Sequence, residues 1–450
     1  MTIDFKKIHF IGIGGIGMSA LARLFKSRGL EVSGSDMSRS EITDALEKEG
    51  IKIFLEQVAE NISDEVDCVI YTIAVKGENP EFAEVKKRGL PIFTYAEMLG
   101  QVSADYYTIA ISGTHGKTTT TAMTTKIFQD LNLKPNAIVG SLLSESKSNF
   151  VSGESNYFIV EACEYGRSFH NLSPKILVIT NLEEDHLDYY ADLAEIQGAF
   201  KDMVQKVPAD GFIICDPEDE NLKTVISEVK GQIINYKKYV EELPHLFVPG
   251  GHNRQNAAAA LAVIEAVKSL NKNSSDVLVN NMASQEIDIA AAKESLKSFK
   301  GTWRRLEFKG ETINGALVYD DYAHHPSEIK SSLLALKEKY SDKKILVIFQ
   351  PHLYSRTKSF LEGFADVLRQ FCDRVIVLPI YAAREKPDGT IDSMMLVEKI
   401  YEDKAEHADN FFEATKLSLD KMINTEWIIV TVGAGDVSRI SNMLALTIVE

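Results

Sequence analysis

The chain has 450 residues, enough for two or three domains, and its 45% hydrophobic and 25% charged content suits a globular protein with a sizeable core. A formal net charge of −16 argues against a general nucleic-acid binder, which shows a basic face, yet it does not exclude an anionic small substrate held by a local field. No apolar run is long enough to span a bilayer, and residues 1–7 read as a polar lead into a strand rather than a signal peptide. The four cysteines (Cys68, Cys163, Cys215, Cys372) form no Cys-x-x-Cys pair, so the expectation is a cytoplasmic protein with no membrane partner and no structural zinc.

Apolar, β-rich runs alternate with helical patterns along most of the chain, which predicts α/β layers with mainly parallel sheets. The first unit is a strand at residues 7–10, a glycine loop, a helix from about Ser19 to Arg28 ended by Gly29, and a strand at residues 31–35. Its loop, Gly12-Ile13-Gly14-Gly15-Ile16-Gly17, fits G-x-G-x-x-G, and Asp36 falls where an acidic residue meets a ribose. Alone, this pattern permits a nicotinamide dinucleotide, any nucleotide diphosphate, or a plain tight turn.

A second unit starts with a strand at residues 106–111 and continues through Gly113-Thr114-His115-Gly116-Lys117-Thr118 into a helix reaching Leu131. This is a phosphate loop for ATP: Lys117 is placed to reach the terminal phosphates and the Thr118 hydroxyl to ligate Mg²⁺. Ile111 stands where the general motif has its first glycine, so the loop is a shortened form. Four consecutive threonines, Thr118 to Thr121, are a poor choice for helix stability alone.

Glu161 follows the strand at residues 157–160, with Glu164 three residues on, and is a candidate Mg²⁺ partner. The strand at residues 176–180 runs into the polar stretch Asn181 to Asp188, a candidate second ion or phosphate site. Spacing alone assigns His186 to capping or support, because Mg²⁺ prefers oxygen. His252 to Asn256 opens an alanine-rich helix at residues 257–267, with Asn253 read as a cap and a purine contact as the alternative. Residues 271–276 read as a surface loop.

The domain boundaries fall near residues 98–104 and near Lys300. Beyond the second, Trp303-Arg304-Arg305 is read as strand, so at most one of the two arginines faces a ligand. Strands at residues 316–320 and 344–349 then end in Asp320-Asp321-Tyr322-Ala323-His324-His325-Pro326 and Gln350 to Arg356. A helix at residues 326–339 separates them, and a strand at 374–379 follows. Polar clusters at consecutive strand ends predict a site along one sheet edge.

These motifs together resemble the Mur ligase family. They include the I-G-I-G-G-I-G-M-S start, G-T-H-G-K-T-T-T, V-E-A at residues 160–162, T-N-x-E-x-D-H-L-D at 180–188, G-x-H-N-x-x-N-A at 250–257, W-R-R, D-D-Y-A-H-H-P, F-Q-P-H-x-Y-S-R-T and G-A-G-D at 433–436. The phosphate loop alone marks only a wider superfamily that includes folylpolyglutamate synthetase. The resemblance implies three domains: a Rossmann-like UDP-sugar domain (1–101), a central P-loop ATP domain (102–300), and a C-terminal Rossmann-like α/β domain (301–450) that closes over both. It implies ATP-dependent joining of L-alanine to UDP-N-acetylmuramate for peptidoglycan, with two Mg²⁺ ions for which Mn²⁺ substitutes. Monomer and homodimer both remain open.

By the same resemblance, Gly12, Gly14, Gly15, Gly17, Met18, Ser19 and Asp36 hold the UDP-sugar. Gly113, Thr114, His115, Gly116, Lys117, Thr118 and Thr119 hold the ATP phosphates, with Arg304 or Arg305. Asn253, Asn256 and Asp321 lie along the adenine side. Thr118 and Glu161 hold one Mg²⁺ and His186 lies at the second. Tyr322, His324 and Arg356 shape the amino-acid pocket and the reacting carboxylate, with Lys117, His186, His324 and Arg356 in the catalytic set. Two departures stand out. Leu353 occupies a place where some members carry an arginine. Phe200 falls where sister ligases carry a carbamylated lysine, with Lys201 one residue off. Competing expectations are a recycling ligase that adds a ready-made tripeptide, an NAD-dependent oxidoreductase, and a nucleotide-binding module without catalysis.

Overall fold

The computed structural model describes residues 5–445 except 76, 188, 274–286, 384, 388, 402 and 421. The first sheet contains β1 (Lys7–Ile11), β2 (Glu31–Ser35), β3 (Lys52–Phe54), β4 (Cys68–Tyr71) and β5 (Ile92–Thr94). All its pairs are parallel, in the order β3-β2-β1-β4-β5. That order reverses between β1 and β4, which opens a crevice at the C-terminal end of β1, where the glycine loop begins.

The second sheet contains β6 (Tyr107–Ser112), β7 (Asn136–Ile138), β8 (Phe150–Val151), β9 (Tyr157–Glu161), β10 (Ile176–Ile179), β11 (Phe212–Cys215) and β12 (Gln232–Asn235). Its order is β12-β11-β10-β6-β9-β7-β8, and only the β7–β8 pair is antiparallel. The third sheet contains β13 (Glu307–Glu311), β14 (Leu317–Asp321), β15 (Lys344–Phe349), β16 (Arg374–Val377), β17 (Ala405–His407) and β18 (Trp427–Val432). It runs β13-β14-β18-β15-β16-β17, with β13 antiparallel. Unbroken apolar runs such as ILVIF at residues 345–349 make sense here because both faces are covered. In β15, Ile345, Val347 and Phe349 enter one core layer and Leu346 and Ile348 the other.

The chain packs as two compact units. One holds Met1–Glu184, Leu193–His245 and Gln255–Phe299, and so contains the first two sheets. The other holds Asp185–Asp192, Leu246–Arg254 and Lys300–Glu450, and so contains the third. Two segments from within the expected central stretch therefore pack with the C-terminal sheet.

Three sequence expectations shift. The first helix begins at Ile16, earlier than expected. The alanine-rich helix runs from Gly251 to Asn273. Residues 271–273 are thus its last turn rather than loop, and residues 274–276 lie outside the described residues. Its start at Gly251 also puts Asn253 in the first turn, where its amide donates to the Pro249 carbonyl at 2.7 Å instead of capping helix amides. Among the described residues, no helix is long and apolar enough to cross a membrane.

Candidate active site

Strand β1 delivers the first glycine loop directly above β2. The Ser35 carbonyl at the end of β2 accepts from the amides of Gly12 (2.8 Å) and Ile13 (2.9 Å), and the Asp36 carboxylate accepts from Gly14 at 2.9 Å. Asp36 thus holds the loop in shape as well as standing at its mouth. Met18 and Ser19 are buried, and the Ser19 hydroxyl donates to the Ile16 carbonyl. Gly17 is needed for space, since a Cβ there would lie 2.8 Å from Cζ of Tyr95. Burial pushes the Tyr95 phenol well above its usual range, with Glu161 and Cys163 adding to the effect. Tyr95 therefore links the glycine loop to the phosphate-loop region, and no sequence motif singles it out.

The phosphate loop leaves β6 and turns into the helix Lys117–Asp130. Gly116 takes φ 84°, and a side chain there would collide with the Asn256 amide. Lys117 donates to the carbonyls of Gly113 (2.6 Å) and Thr114 (3.0 Å) and to the buried carboxylate of Glu164 (3.0 Å). The Thr118 hydroxyl donates to Glu161 at 3.2 Å, and the other oxygen of Glu161 accepts from the Gly140 amide at 2.5 Å. A hydroxyl and a carboxylate brought together at a helix N-terminus form a hard-oxygen pair that fits Mg²⁺. Thr119 is half-buried in the same first turn. The loop is braced by Asn181, whose backbone and side-chain oxygens accept from the amides of Thr114 and His115. Those two amides therefore serve the loop's own shape, which corrects the simple picture of every loop amide facing phosphate.

In the other unit, Asp185 is buried and accepts from Arg356 at 3.2 Å and from the His186 amide at 2.7 Å. Burial pushes its carboxyl up, but His186, Arg356 and His324 together outweigh that and hold it well below the usual carboxylate range. His186 has φ 55°, a left-handed position that turns the chain sharply after Asp185. Asp185, His186, Leu187, Ser355, Arg356, Ser359 and Phe360 line a small cavity of about 30 Å³. Arg356 also donates to Nδ1 of His352 at 3.2 Å.

His324 lies on the loop after β14, with Nδ1 3.0 Å from the Tyr322 carbonyl. A carbonyl only accepts, so Nδ1 carries the proton and the neutral ring keeps its lone pair on Nε2. Burial lowers the His324 pKa, Glu328 opposes this, and Arg356 adds to it. The neighbouring His325 is spent structurally: it caps the helix Pro326–Lys339 by accepting from the Ser327 amide.

Arg304 is a correction to the strand reading. It sits in a turn at φ 56°, buried, with its guanidinium on Asp320 (2.8 Å) and on the carbonyls of Gly433 (2.6 Å) and Gly435 (2.8 Å). Those bonds occupy it in holding the G-A-G-D loop. Arg305 is half-buried, and its guanidinium stands 5.2 Å from the Tyr322 ring centre. Asp321 is likewise bound internally, by the Leu306 and Ala323 amides and the Ser332 hydroxyl. Leu353 is buried with φ 68° and ψ 137°, so it faces the interior. Phe200 fills the core against Phe169, and Lys201 is exposed.

Parallel sheets bearing a glycine loop and a shortened phosphate loop, with Lys117, Thr118 and Glu161 gathered at the latter, define a nucleotide-using enzyme of the P-loop ligase type. The comparisons make this specific. Residues 7–107 match the Mur ligase family catalytic domain, 111–245 the Mur ligase middle domain, and 304–435 the Mur ligase glutamate ligase domain. The chain belongs to the Mur ligase family of ATP-dependent ligases. It is 38% identical to a UDP-N-acetylmuramate–L-alanine ligase of Clostridium kluyveri, over 98% of this chain and 99% of that one. It is 39% identical to the enzyme of the same name from Alkaliphilus metalliredigens, over 98% and 97%. A solved UDP-N-acetylmuramate-alanine ligase of Thermotoga maritima aligns at 29% identity and a TM-score of 0.76, covering 97% of this chain and 98% of that one.

Proposed function

We propose that the protein joins the amino group of L-alanine to the lactyl carboxylate of UDP-N-acetylmuramate in peptidoglycan precursor synthesis, converting ATP to ADP and phosphate. The observation that carries this reading is full-length identity of 38–39% to ligases of that name. Lys117, Thr118 and Glu161 at one loop give it a chemical basis. The function is that of a cytoplasmic enzyme serving cell-wall growth and thus cell shape and division. The three domains are assigned to residues 1–101, 102–300 and 301–450, with segments 185–192 and 246–254 working with the last.

A carboxylate is a poor electrophile and must first be activated. Its oxygen attacks the γ-phosphorus, the bond to the β,γ-bridging oxygen breaks, and ADP leaves an acyl phosphate. The neutral amine then attacks the acyl carbon, phosphate departs from the tetrahedral intermediate, and the amine nitrogen gives up a proton. Phosphoryl transfer depends mainly on positioning and charge neutralisation. Lys117 exchanges its Glu164 partner for the terminal phosphates. Thr118 and Glu161 would hold one Mg²⁺, with His186 at a second, and the ions would neutralise phosphate oxygens. Arg305 takes the arginine role at the phosphates, because Arg304 is committed to Asp320. Asn253, Asn256 and Asp321 are assigned to the adenine side. Arg356, fixed by Asp185, meets the reacting carboxylate. Tyr322 walls the amino-acid pocket, and Nε2 of neutral His324 takes the proton that the amine nitrogen gives up.

The test is phosphate release from ATP with UDP-N-acetylmuramate and each acceptor in turn. Release that requires both the sugar nucleotide and L-alanine supports the reading. Joining of a tripeptide but not L-alanine points to a recycling ligase. NAD binding without UDP-sugar binding returns the glycine loop to a redox role.

A further inference from the structure

Asn149 has no place in any motif read from the sequence, yet it is fully buried and uses its whole side chain. Its amide nitrogen donates to the Ile16 carbonyl at 2.5 Å and to the Ser19 hydroxyl at 2.9 Å, at the start of the helix that follows the first glycine loop. Its side-chain oxygen accepts from Arg23 at 2.5 Å, one turn further along that helix. Arg23 is itself anchored by Glu49 at 2.8 Å. The backbone carbonyl of Asn149 accepts from the Val139 amide at 2.9 Å. The next amide, Gly140, donates to Glu161 at 2.5 Å, and Glu161 accepts from Thr118. One residue thus joins the helix start under the glycine loop to the carboxylate beside the phosphate loop.

We infer that Asn149 is a positioning residue that sets the sugar-nucleotide loop and the Glu161 carboxylate in register. The inference rests on the assignment of those two loops to the UDP-sugar and to the magnesium nucleotide. A buried amide with all its hydrogen-bonding capacity spent on one helix start leaves that element little freedom, and losing a donor exposes the cost of the unmet acceptor. Displacement at Ile16 and Ser19 then passes through the Asn149 backbone to Val139, Gly140 and Glu161. Reciprocity requires that a change at one end be felt at the other.

The experiment compares Asn149→Asp, Ser19→Ala and Asn136→Ala in the full chain. Asn149→Asp keeps the acceptor for Arg23 and removes both donations. Ser19→Ala removes one acceptor from the loop side. Asn136→Ala is the packing control: Asn136 is equally buried and bonds Arg28 at the far end of the same helix. Binding of UDP-N-acetylmuramate is measured by calorimetry, and the Mg²⁺ concentration for half-maximal rate by titration. Asn149→Asp is expected to weaken sugar-nucleotide binding roughly 10-fold and raise the Mg²⁺ requirement at least about 3-fold. Ser19→Ala shifts the Mg²⁺ requirement in the same direction, although serine is no part of the metal pair. Unchanged Mg²⁺ dependence in Ser19→Ala, or equal shifts in Asn136→Ala, overturns the inference even if Asn149→Asp does not fold. Failure of the wild-type chain to bind UDP-N-acetylmuramate would instead remove the functional reading beneath it.

Discussion

Asp185 and Arg356 lie 171 residues apart in sequence and form an ion pair at 3.2 Å in which both side chains are buried. Replacing Asp185 with Asn keeps the shape but leaves the guanidinium without its counter-charge. The expected cost is about 3 kcal/mol of stability at neutral pH, because an uncompensated charge remains in the interior. The folded carboxyl is held well below its unfolded value, so its stabilisation is present above the unfolded pKa of about 4 and is lost as pH falls through the folded one. Urea unfolding of wild type and variant should therefore differ most at pH 7 and converge as the pH drops below 4. A constant difference across that range would show that the pair is not the source.

The Lys117–Glu164 pair separates catalysis from stability. Under the proposed function, Lys117→Ala should reduce turnover by roughly 10²–10³-fold or more, since it removes the cation proposed to meet the phosphates. It also deprives the buried Glu164 of that cation, which lowers the melting temperature. The double variant Lys117→Ala/Glu164→Gln should regain most of the melting temperature and none of the turnover. Recovery of activity in the double variant would take Lys117 out of the mechanism.

The local features of both loops were legible in the sequence because they depend on near neighbours. A strand, a glycine that must take positive φ, and a lysine and threonine opening a helix follow one another within a dozen residues, and Gly116, Lys117 and Thr118 stand as that pattern requires. Features fixed by distant partners were not legible. Nothing near Arg304 announces that Gly433 and Gly435 will take its guanidinium, so the adjacent arginines looked like alternating strand residues. Nor does any local pattern show that residues 185–192 pack with the C-terminal sheet, which brings Asp185 to Arg356. Glu328 had a weak signal, as an acid four residues after His324 at a helix start. Asn149 had none, since its importance lies in what Ile16 and Ser19 place beside it.

His324 sets an expectation for the pH–rate profile. Burial holds its imidazole below the ordinary value of 6.5, so it is neutral at pH 7 and offers Nε2 as a base. kcat/KM for L-alanine should then fall on the acid side only below about pH 6.5, as protonation removes the lone pair. His324→Asn should lower kcat/KM by roughly 10²-fold and abolish that limb. A limb that persists in the variant assigns the proton to another group.

Asp321 gives the opposite linkage from Asp185. Burial raises its folded pKa to about 6 from 3.8, against the lowering influence of Arg305 and its hydrogen-bond donors. The folded state therefore resists the charged form, and the sign reverses. This group costs no stability below the unfolded pKa, and the penalty grows as pH rises from about 4 to about 6, approaching about 3 kcal/mol at 1.36 kcal/mol per unit. Asp321→Asn removes the titration but gives up part of the bonding to the Leu306 and Ala323 amides and to Ser332. It should be less stable than wild type at pH 4, where the wild-type carboxyl is largely protonated in the fold, should gain on it up to about pH 6, and should level off by about pH 7. The measurement is the difference in unfolding free energy across that interval. A difference that stays flat would mean that the internal donors already stabilise the ionised carboxylate, and that Asp321 is charged in the folded protein at all these pH values.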